Sequence, residues 1–94
     1  MAQDGSANKC VRVRLSGLVQ GVWFRHWTVE QARSLELRGW VRNRVDGTVE
    51  AVFSGRSQNV DCMLQACHQG PPNAKVTQVK SVDDTDPGIE NFTE

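Results

Sequence analysis

The sequence predicts an α+β sandwich in which two helices cover one face of a four-stranded antiparallel sheet, in the order β-α-β-β-α-β. Three observations predict it. A strictly alternating run comes first, two more alternating runs meet at Asp46-Gly47, and segments of helical spacing stand before and after that pair. Right-handed crossovers then place the first and third strands at the centre and the second and fourth at the edges. This is the ferredoxin-like arrangement.

The first strand is predicted from KCVRVRLSG, in which Val11, Val13 and Leu15 alternate with polar or small residues. Strict alternation is typical of a strand that buries one face against a core. Gly17 and Gly21 bracket the loop that follows. Gly21 can adopt the dihedral angles that a tight, inward-facing loop requires.

Both helices are predicted from apolar or small residues that recur at helical spacing. In the first helix these are Phe24, Thr28, Ala32 and Leu35, and in the second they are Val60, Met63, Leu64 and Cys67. We expect Gly39 to close the first helix as a C-terminal cap, and Gly70 before two prolines to stop the second. Ser57 or Asn59 is expected to cap the start of the second helix.

The remaining strands lie around a hairpin and after the second helix. WVRNRVDGTVEAVFSG consists of two alternating runs on either side of Asp46-Gly47, which is a strong hairpin signal. AKVTQVKSV alternates imperfectly and is expected to form an edge strand. The acidic DDTDPG indicates a turn, and IENF can add a short further strand.

Composition and charge are ordinary for a soluble domain. The 94 residues are 38% hydrophobic and 23% charged, and no apolar run approaches the length of a membrane span. Net charge is zero, but residues 1–56 carry nine Lys/Arg against five Asp/Glu, a basic half that suits an anionic ligand. MAQDGSANK lacks an apolar segment after a basic start, so a cytoplasmic location is expected. We predict a disordered lead-in at residues 1–8 and one domain at residues 9–94.

Three cysteines, an odd number without a secretory signal, indicate reduced thiols. Cys62 and Cys67 lie about 140° apart around the predicted second helix and cannot bridge each other within it. Structural thiols are favoured over a redox or metal role. His26 and His68 have no ligand spacing to any cysteine, so neither a metal nor a cofactor is predicted.

Arg25 stands where the first helix begins, in the stretch GLVQGVWFRHW. A cation there opposes the helix dipole, because the N-terminal end already carries positive partial charge. Backbone N–H groups in the preceding loop also lack helical partners, and turned inward they can form a nest for an oxyanion. Arg25 is therefore a candidate anion-binding residue, and a surface arginine in an ordinary β–α turn is the alternative.

Asn43 is the second residue that breaks a local rule. In WVRNRV it shares one strand face with Val41 and Val45, where a buried amide needs hydrogen-bond partners. A bulge or a satisfied amide near the sheet edge is one explanation. A polar group retained on such a face can also be a functional one.

Trp23, Trp27 and Trp40 stand among arginines, a combination that also suits base stacking on nucleic acid. RGWVRN matches an RNA-recognition fingerprint only at Arg38, Gly39 and the aromatic residue that follows. The first strand has no aromatic residue to pair with it. We therefore favour packing at the core or its rim for the tryptophans, with a non-catalytic binding module as the second hypothesis.

Two of these stretches resemble the acylphosphatase signature pair. SGLVQGVWFR is similar to a loop of the form G-x-V-Q-G-V-x-F-R, and GWVRNRVDGTVEAVFSG to G-W-V-x-N-x-x-D-G-x-V-E. MLQACHQGPPNAKV also resembles the family's second helix and its Gly-Pro-Pro exit. The resemblance runs from about Val11 to Val82, and the two motifs together are highly specific.

The resemblance implies a ferredoxin-like fold and hydrolysis of acyl phosphates to a carboxylate and inorganic phosphate, without metal or cofactor. It implies that loop amides bind the phosphoryl group, the loop residues being Val19, Gln20, Gly21, Val22, Trp23 and Phe24. Arg25 is then the phosphate-binding arginine, and Asn43 positions the attacking water. The expected partner is a small acyl phosphate, with inorganic phosphate as product and competitive inhibitor. A monomer that binds neither membrane nor nucleic acid is expected.

Three features depart from the family's pattern. Glu36 stands where the family usually has glycine, and Trp23 is bulkier than the residue often found at its position, so it can narrow the mouth of the loop. NFTE stops short of the usual closing F-x-I strand, which bears on stability more than on chemistry. The two residues assigned to the site are intact.

Overall fold

A computed structural model of the chain describes residues 7–94, which form five strands and two helices. The strands are β1 (Asn8–Leu18), β2 (Arg38–Asn43), β3 (Val49–Arg56), β4 (Lys75–Asp83) and β5 (Phe92–Thr93). The helices are α1 (Phe24–Ser34) and α2 (Ser57–Gln69). The order β1-α1-β2-β3-α2-β4 confirms the predicted α+β arrangement, and β5 extends it.

The predicted lead-in at residues 1–8 falls mostly outside the described residues, which begin at 7. Its last two residues belong to the fold. The Ala7 carbonyl accepts a hydrogen bond from the Ser57 N–H at 2.8 Å, and β1 already begins at Asn8.

The sheet has the order β4-β1-β3-β2-β5, so β1 and β3 are central as predicted. The prediction that β2 forms an edge is wrong, because β5 pairs with it in parallel at Gly39–Phe92 and Trp40–Thr93. The sheet is therefore mixed, and β4 and β5 are its edges. Phe92 is fully buried and stacks on Phe53 at a centroid distance of 5.4 Å, so its burial offsets the entropy lost in ordering this short strand.

The core lies between the two helices and the sheet face that carries the alternating apolar residues of β1. Val11, Val13 and Leu15 are all buried there, as the alternation predicts. The helices contribute apolar or small side chains at their predicted positions: Phe24, Thr28, Ala32, Val60, Met63 and Cys67 are buried. Leu35 and Leu64 are only partly buried at the margin of this core.

The expectation that Gly39 caps α1 is wrong. The helix ends at Ser34, and Glu36 adopts a φ of 57°. The N–H groups of Glu36 and Leu37 donate to carbonyls of the last helical turn, which is the Schellman pattern. Gly39 lies in β2, where an added Cβ would come within 1.8 Å of the Val52 carbonyl oxygen. Glycine is needed there for close backbone approach.

At the ends of α2 one prediction holds and one fails. Gly70 is the C-terminal cap, and its N–H donates to a carbonyl of the last turn at 2.9 Å. Neither Ser57 nor Asn59 caps the start, where Arg56 takes the cap position without a side-chain hydrogen bond. The Asn59 amide instead donates to the Leu35 carbonyl at 3.0 Å, which ties α2 to the end of α1.

The predicted hairpin joins β2 to β3 through residues 44–48. The Arg44 N–H donates to the Thr48 carbonyl at 2.8 Å, and Gly47 has a φ of 91°. Asp46 Oδ1 accepts hydrogen bonds from both the backbone N–H and the hydroxyl of Thr48. This tight turn fixes where β2 ends, and therefore where Asn43 stands.

Candidate active site

A cavity of about 390 Å³ opens beside the N-terminal end of α1. It is formed by the β1–α1 loop, the first turn of α1, the end of β2 and one residue near the C-terminal end. The lining residues are Val19, Gly21, Trp23, Phe24, Arg25, His26, Asn43 and Glu94. The fold thus brings Arg25 and Asn43 into one cavity from two different elements.

Arg25 is the second residue of α1, and its side chain is about half exposed, at 46%. The first turn of the helix contains no acidic residue, so the positive helix end and the guanidinium reinforce each other. Arg25 Nη1 lies 3.7 Å from Glu94 Oε1, an exposed ion pair that solvent screens. This end of the cavity favours an anion.

The β1–α1 loop supplies further donors. Within residues 7–94, the backbone N–H groups of Gln20 to Trp23 donate no hydrogen bond to a backbone carbonyl. Gly21 and Trp23 have φ values of 75° and 64°, so the loop curls tightly before the helix begins. Successive free amides in such a turn are an anion-binding arrangement.

The six residues predicted for the loop divide by what their side chains contact. Val19 and Phe24 are buried and anchor the loop to the core, while Gly21 and Trp23 lie between them on the cavity wall. Val22 packs against the core. Its side chain and that of Gln20 do not line the cavity, so any role of these two in binding falls to their backbone.

Gln20 has a function that the sequence did not reveal. Its Nε2 donates hydrogen bonds to the carbonyls of Arg44 and Thr48, both at 2.8 Å. These bonds tie the loop to the hairpin that follows Asn43. The side chain therefore fixes the two halves of the cavity relative to each other, and no short-range pattern signals such a contact.

Asn43 is the last residue of β2, and its side chain is exposed at the cavity. The prediction that it shares a buried face with Val41 and Val45 is wrong in part. Val41 is fully buried, but Val45 is fully exposed, because the strand ends before it and the alternation stops. The amide consequently needs no buried partner and is available to a ligand.

Two arginines flank Asn43, and a buried carboxylate holds both. Glu50 Oε1 accepts hydrogen bonds from Arg42 at 3.0 and 2.8 Å and from Arg44 at 3.1 Å, and Oε2 lies 3.6 Å from Arg12. Burial opposes ionisation of Glu50, but the hydrogen bonds from Arg42 and Arg44 outweigh it and hold its pKa below the ordinary value. Alternation along β3 predicts on which face of the sheet Glu50 lies. Only the pairing of the strands shows that arginines from neighbouring strands surround its carboxylate.

Trp40, considered above as a stacking platform for nucleic acid, is half-buried and already has a partner. The Arg42 guanidinium lies over its ring at 4.9 Å from the centroid. A base would have to displace this cation–π contact in order to stack there. The tryptophan at the cavity is Trp23 instead.

His26 and Glu94 also line the cavity, whereas none of the three cysteines does. All three cysteines are free, and burial raises the pKa of Cys67 to about 12 and also raises that of Cys10. In the described part of the chain, no three His, Cys, Asp or Glu side chains come together as metal ligands. Neither helix in that part is long and apolar enough to cross a membrane.

Comparisons with known proteins show the family to which the chain belongs. The family model described as Acylphosphatase matches residues 11–93. An acylphosphatase of Rhodospirillum rubrum is 58% identical over 72 residues, which cover 77% of this chain and 79% of the relative. The structure of an acylphosphatase from Coxiella burnetii has a TM-score of 0.89 at 33% identity, and the match covers 99% of this chain and 98% of that chain. The crystal structure of acylphosphatase from Bacillus subtilis has a TM-score of 0.86, also at 33% identity, and the match covers 89% of this chain and 94% of that chain.

Proposed function

The chain belongs to the acylphosphatase family, and from this premise we propose how its residues act. It hydrolyses the carboxyl–phosphate bond of acyl phosphates to a carboxylate and inorganic phosphate. Arg25 and the backbone amides of Val19 to Phe24 hold the phosphoryl group, and Asn43 positions the attacking water. The observation that supports this division is the shared cavity, which joins a cationic helix end to an exposed amide from β2.

In the proposed reaction the water oxygen attacks phosphorus while the bond from phosphorus to the acyl oxygen breaks. Negative charge spreads over the three other phosphoryl oxygens, and fixed positive groups stabilise it. Arg25 can offer two parallel N–H donors to these oxygens, whereas a lysine offers a single point charge. The carboxylate departs without protonation because it is a good leaving group, and a phosphoryl oxygen takes the proton from the water.

The same assignment implies that inorganic phosphate competes with the substrate, because the loop recognises the phosphoryl group rather than the acyl chain. We further propose a monomer that works without metal in the cytoplasm. The three free cysteines suit a reducing compartment. Besides Trp23, the exposed large apolar residues Leu18, Val45 and Val82 lie on separate elements, as scattered surface residues do in monomers.

The roles of Arg25 and Asn43 are separable by experiment. Arg25→Ala should lose both phosphate affinity and at least about 10²-fold in turnover, and Arg25→Lys should recover little of either. Asn43→Ala should lose turnover by a similar factor but keep phosphate affinity, since water matters only when the bond is attacked. Turnover of acetyl phosphate and calorimetric titration with inorganic phosphate measure the two effects.

Arg14→Ala is the matched control, because Arg14 is exposed on β1 outside the cavity. It should leave both quantities unchanged, and circular dichroism should show that all variants fold. Asn43 is exposed, so its removal should change the free energy of unfolding by no more than about 0.5 kcal/mol. If Asn43→Ala abolishes phosphate binding as completely as Arg25→Ala does, the proposed division of roles is wrong.

A further inference from the structure

Trp23 combines two unfavourable features at the rim of the cavity. Its backbone lies in the left-handed region, with φ 64° and ψ 22°, which tryptophan adopts only at a cost in free energy. Its side chain is 78% exposed, so a large apolar ring faces water. Glycine at this position would avoid both costs. Glu36 also has positive φ, but there the end of α1 accounts for it.

The cavity is larger than its phosphate-binding end requires. Its volume of about 390 Å³ lies in the range of pockets that take a drug-sized ligand. Arg25 and the loop amides bind only the phosphoryl end of an acyl phosphate. The acyl group must therefore extend along the rest of the wall, and Trp23 is the large apolar side chain exposed there.

The indole of Trp23 is supported from one side. Its ring and that of His26 meet edge to face, with centroids 6.1 Å apart and an interplanar angle of 79°. Such a pair restricts the orientation of an otherwise exposed ring and leaves the rest of its apolar surface open. A planar ligand group can pack against that surface, and a small aliphatic group can cover little of it.

We infer that Trp23 binds the acyl group of the substrate and gives this enzyme a preference for aromatic acyl phosphates over short aliphatic ones. This inference rests on the proposed function, because it needs Arg25 to fix the phosphoryl end. The strained backbone presents the ring toward the substrate, and the loop amides remain with the phosphate. The contact adds affinity for one class of acyl group and leaves the reacting atoms unchanged.

The test compares kcat/KM for benzoyl phosphate with kcat/KM for acetyl phosphate in each variant. Trp23→Gly removes the ring while keeping the left-handed backbone accessible, and Trp23→Phe keeps an aromatic ring. Any general effect on the loop changes both substrates and cancels in the ratio. We expect the benzoyl-to-acetyl ratio to fall about three- to tenfold in Trp23→Gly, the range of an aromatic contact, and to recover in Trp23→Phe. Val82→Ala, another exposed apolar residue, should leave the ratio at the wild-type value.

Binding without turnover gives a second readout. Phenylphosphonate should inhibit acetyl phosphate hydrolysis more strongly than methylphosphonate in the wild type, and Trp23→Gly should reduce this difference by the same factor. An unchanged ratio in Trp23→Gly, or a ratio that Trp23→Phe does not restore, overturns the inference while Arg25-dependent hydrolysis stands. Wild-type protein that hydrolyses neither substrate would instead overturn the proposed function.

Discussion

Replacing the buried Glu50 by glutamine should destabilise the protein strongly and also lower its turnover. Glu50→Gln preserves the shape of the side chain but removes the charge that three arginines share. One oxygen accepts three hydrogen bonds from Arg42 and Arg44. The glutamine amide also introduces N–H donors, which face the N–H donors of the surrounding arginines. Because Arg42 and Arg44 flank Asn43, their release should loosen the end of β2.

The size of the effect follows from these contacts. Each of the three bonds now joins two charged groups, and in Glu50→Gln only the guanidinium stays charged. Hydrogen bonds to charged groups contribute about 1.5–3 kcal/mol, and we take the loss of one of the two charges as roughly 1 kcal/mol per bond. The Arg42 side chain is 60% exposed, and water replaces part of what it loses. We expect the free energy of unfolding at neutral pH to fall by about 2–3 kcal/mol, which lowers Tm by roughly 10–20 °C.

The pH dependence identifies the charge as the cause. Burial raises the pKa of Glu50, but the hydrogen bonds from Arg42 and Arg44 lower it by more, so its pKa in the folded protein lies below the ordinary value of the side chain. Its ionised form therefore stabilises the fold above that value, and this stability is lost as pH falls through the folded pKa. The difference between wild type and Glu50→Gln should be largest at neutral pH and shrink below about pH 4.

Urea unfolding at a series of pH values measures this difference, and acetyl phosphate turnover is followed in parallel. Asp84→Asn is the control, since Asp84 pairs with Arg12 at 2.9 Å but lies at the surface, and its effect should be much smaller. A loss below about 0.5 kcal/mol in Glu50→Gln at neutral pH, or a loss of constant size down to pH 3, refutes the reasoning.

Three further predictions concern the cavity itself. Gln20→Ala should lower turnover and reduce the free energy of unfolding in urea by about 1–2 kcal/mol. The loss is no larger because the Arg44 and Thr48 carbonyls keep other backbone donors. Full turnover in Gln20→Glu, which cannot donate there, would contradict the donor role. Glu94→Gln should raise calorimetric phosphate affinity about two- to threefold, since an exposed carboxylate no longer competes for Arg25, and unchanged affinity would count against that competition. Dialysis against a chelator should leave acetyl phosphate turnover unchanged, and a loss restored by magnesium would overturn the metal-free mechanism.

The parts of the fold that the sequence predicted are those with a periodic signal. Val11, Val13 and Leu15 alternate over a long strand, so the face that they bury is determined locally. A two-residue strand has no period, and β5 exists because Phe92 finds a fully buried place against Phe53. That place is created by distant parts of the chain, which is why the neighbour of β2 could not be predicted.

Gly39 shows a different limit. A glycine soon after a helix satisfies two physical requirements equally well, since it can reverse the chain at a cap or let two backbones approach closely. The sequence does not distinguish these uses. The helix ends at Ser34 instead, and a glutamate takes the left-handed position.

The sequence named the candidate site residues one by one, but no local pattern indicated that they would meet in one cavity. Arg25 breaks a local rule that is visible in a single stretch of sequence. Asn43 attracted attention as a polar residue on an apolar face, although the strand ends there and the amide is exposed. Their presence in one cavity depends on how α1 and β2 meet, which only the resemblance to a family implied before the structure. The Gln20 bonds that fix this meeting left no local signal at all.

Several strained or unpaired features of the described chain lie around one cavity. A cation stands at a positive helix end, successive amides lack backbone partners, and a tryptophan is left-handed and exposed. Some comparable costs elsewhere are offset locally, as at Glu36 by the hydrogen bonds of the helix end and at Glu50 by its arginines, whereas the buried Arg44 Nε has no hydrogen-bond partner among the described residues. Costs that the fold leaves uncompensated can be balanced by a ligand, because binding supplies the missing partners. A single anion with an apolar group attached would supply the partners that are missing at this cavity, and an acyl phosphate has that composition.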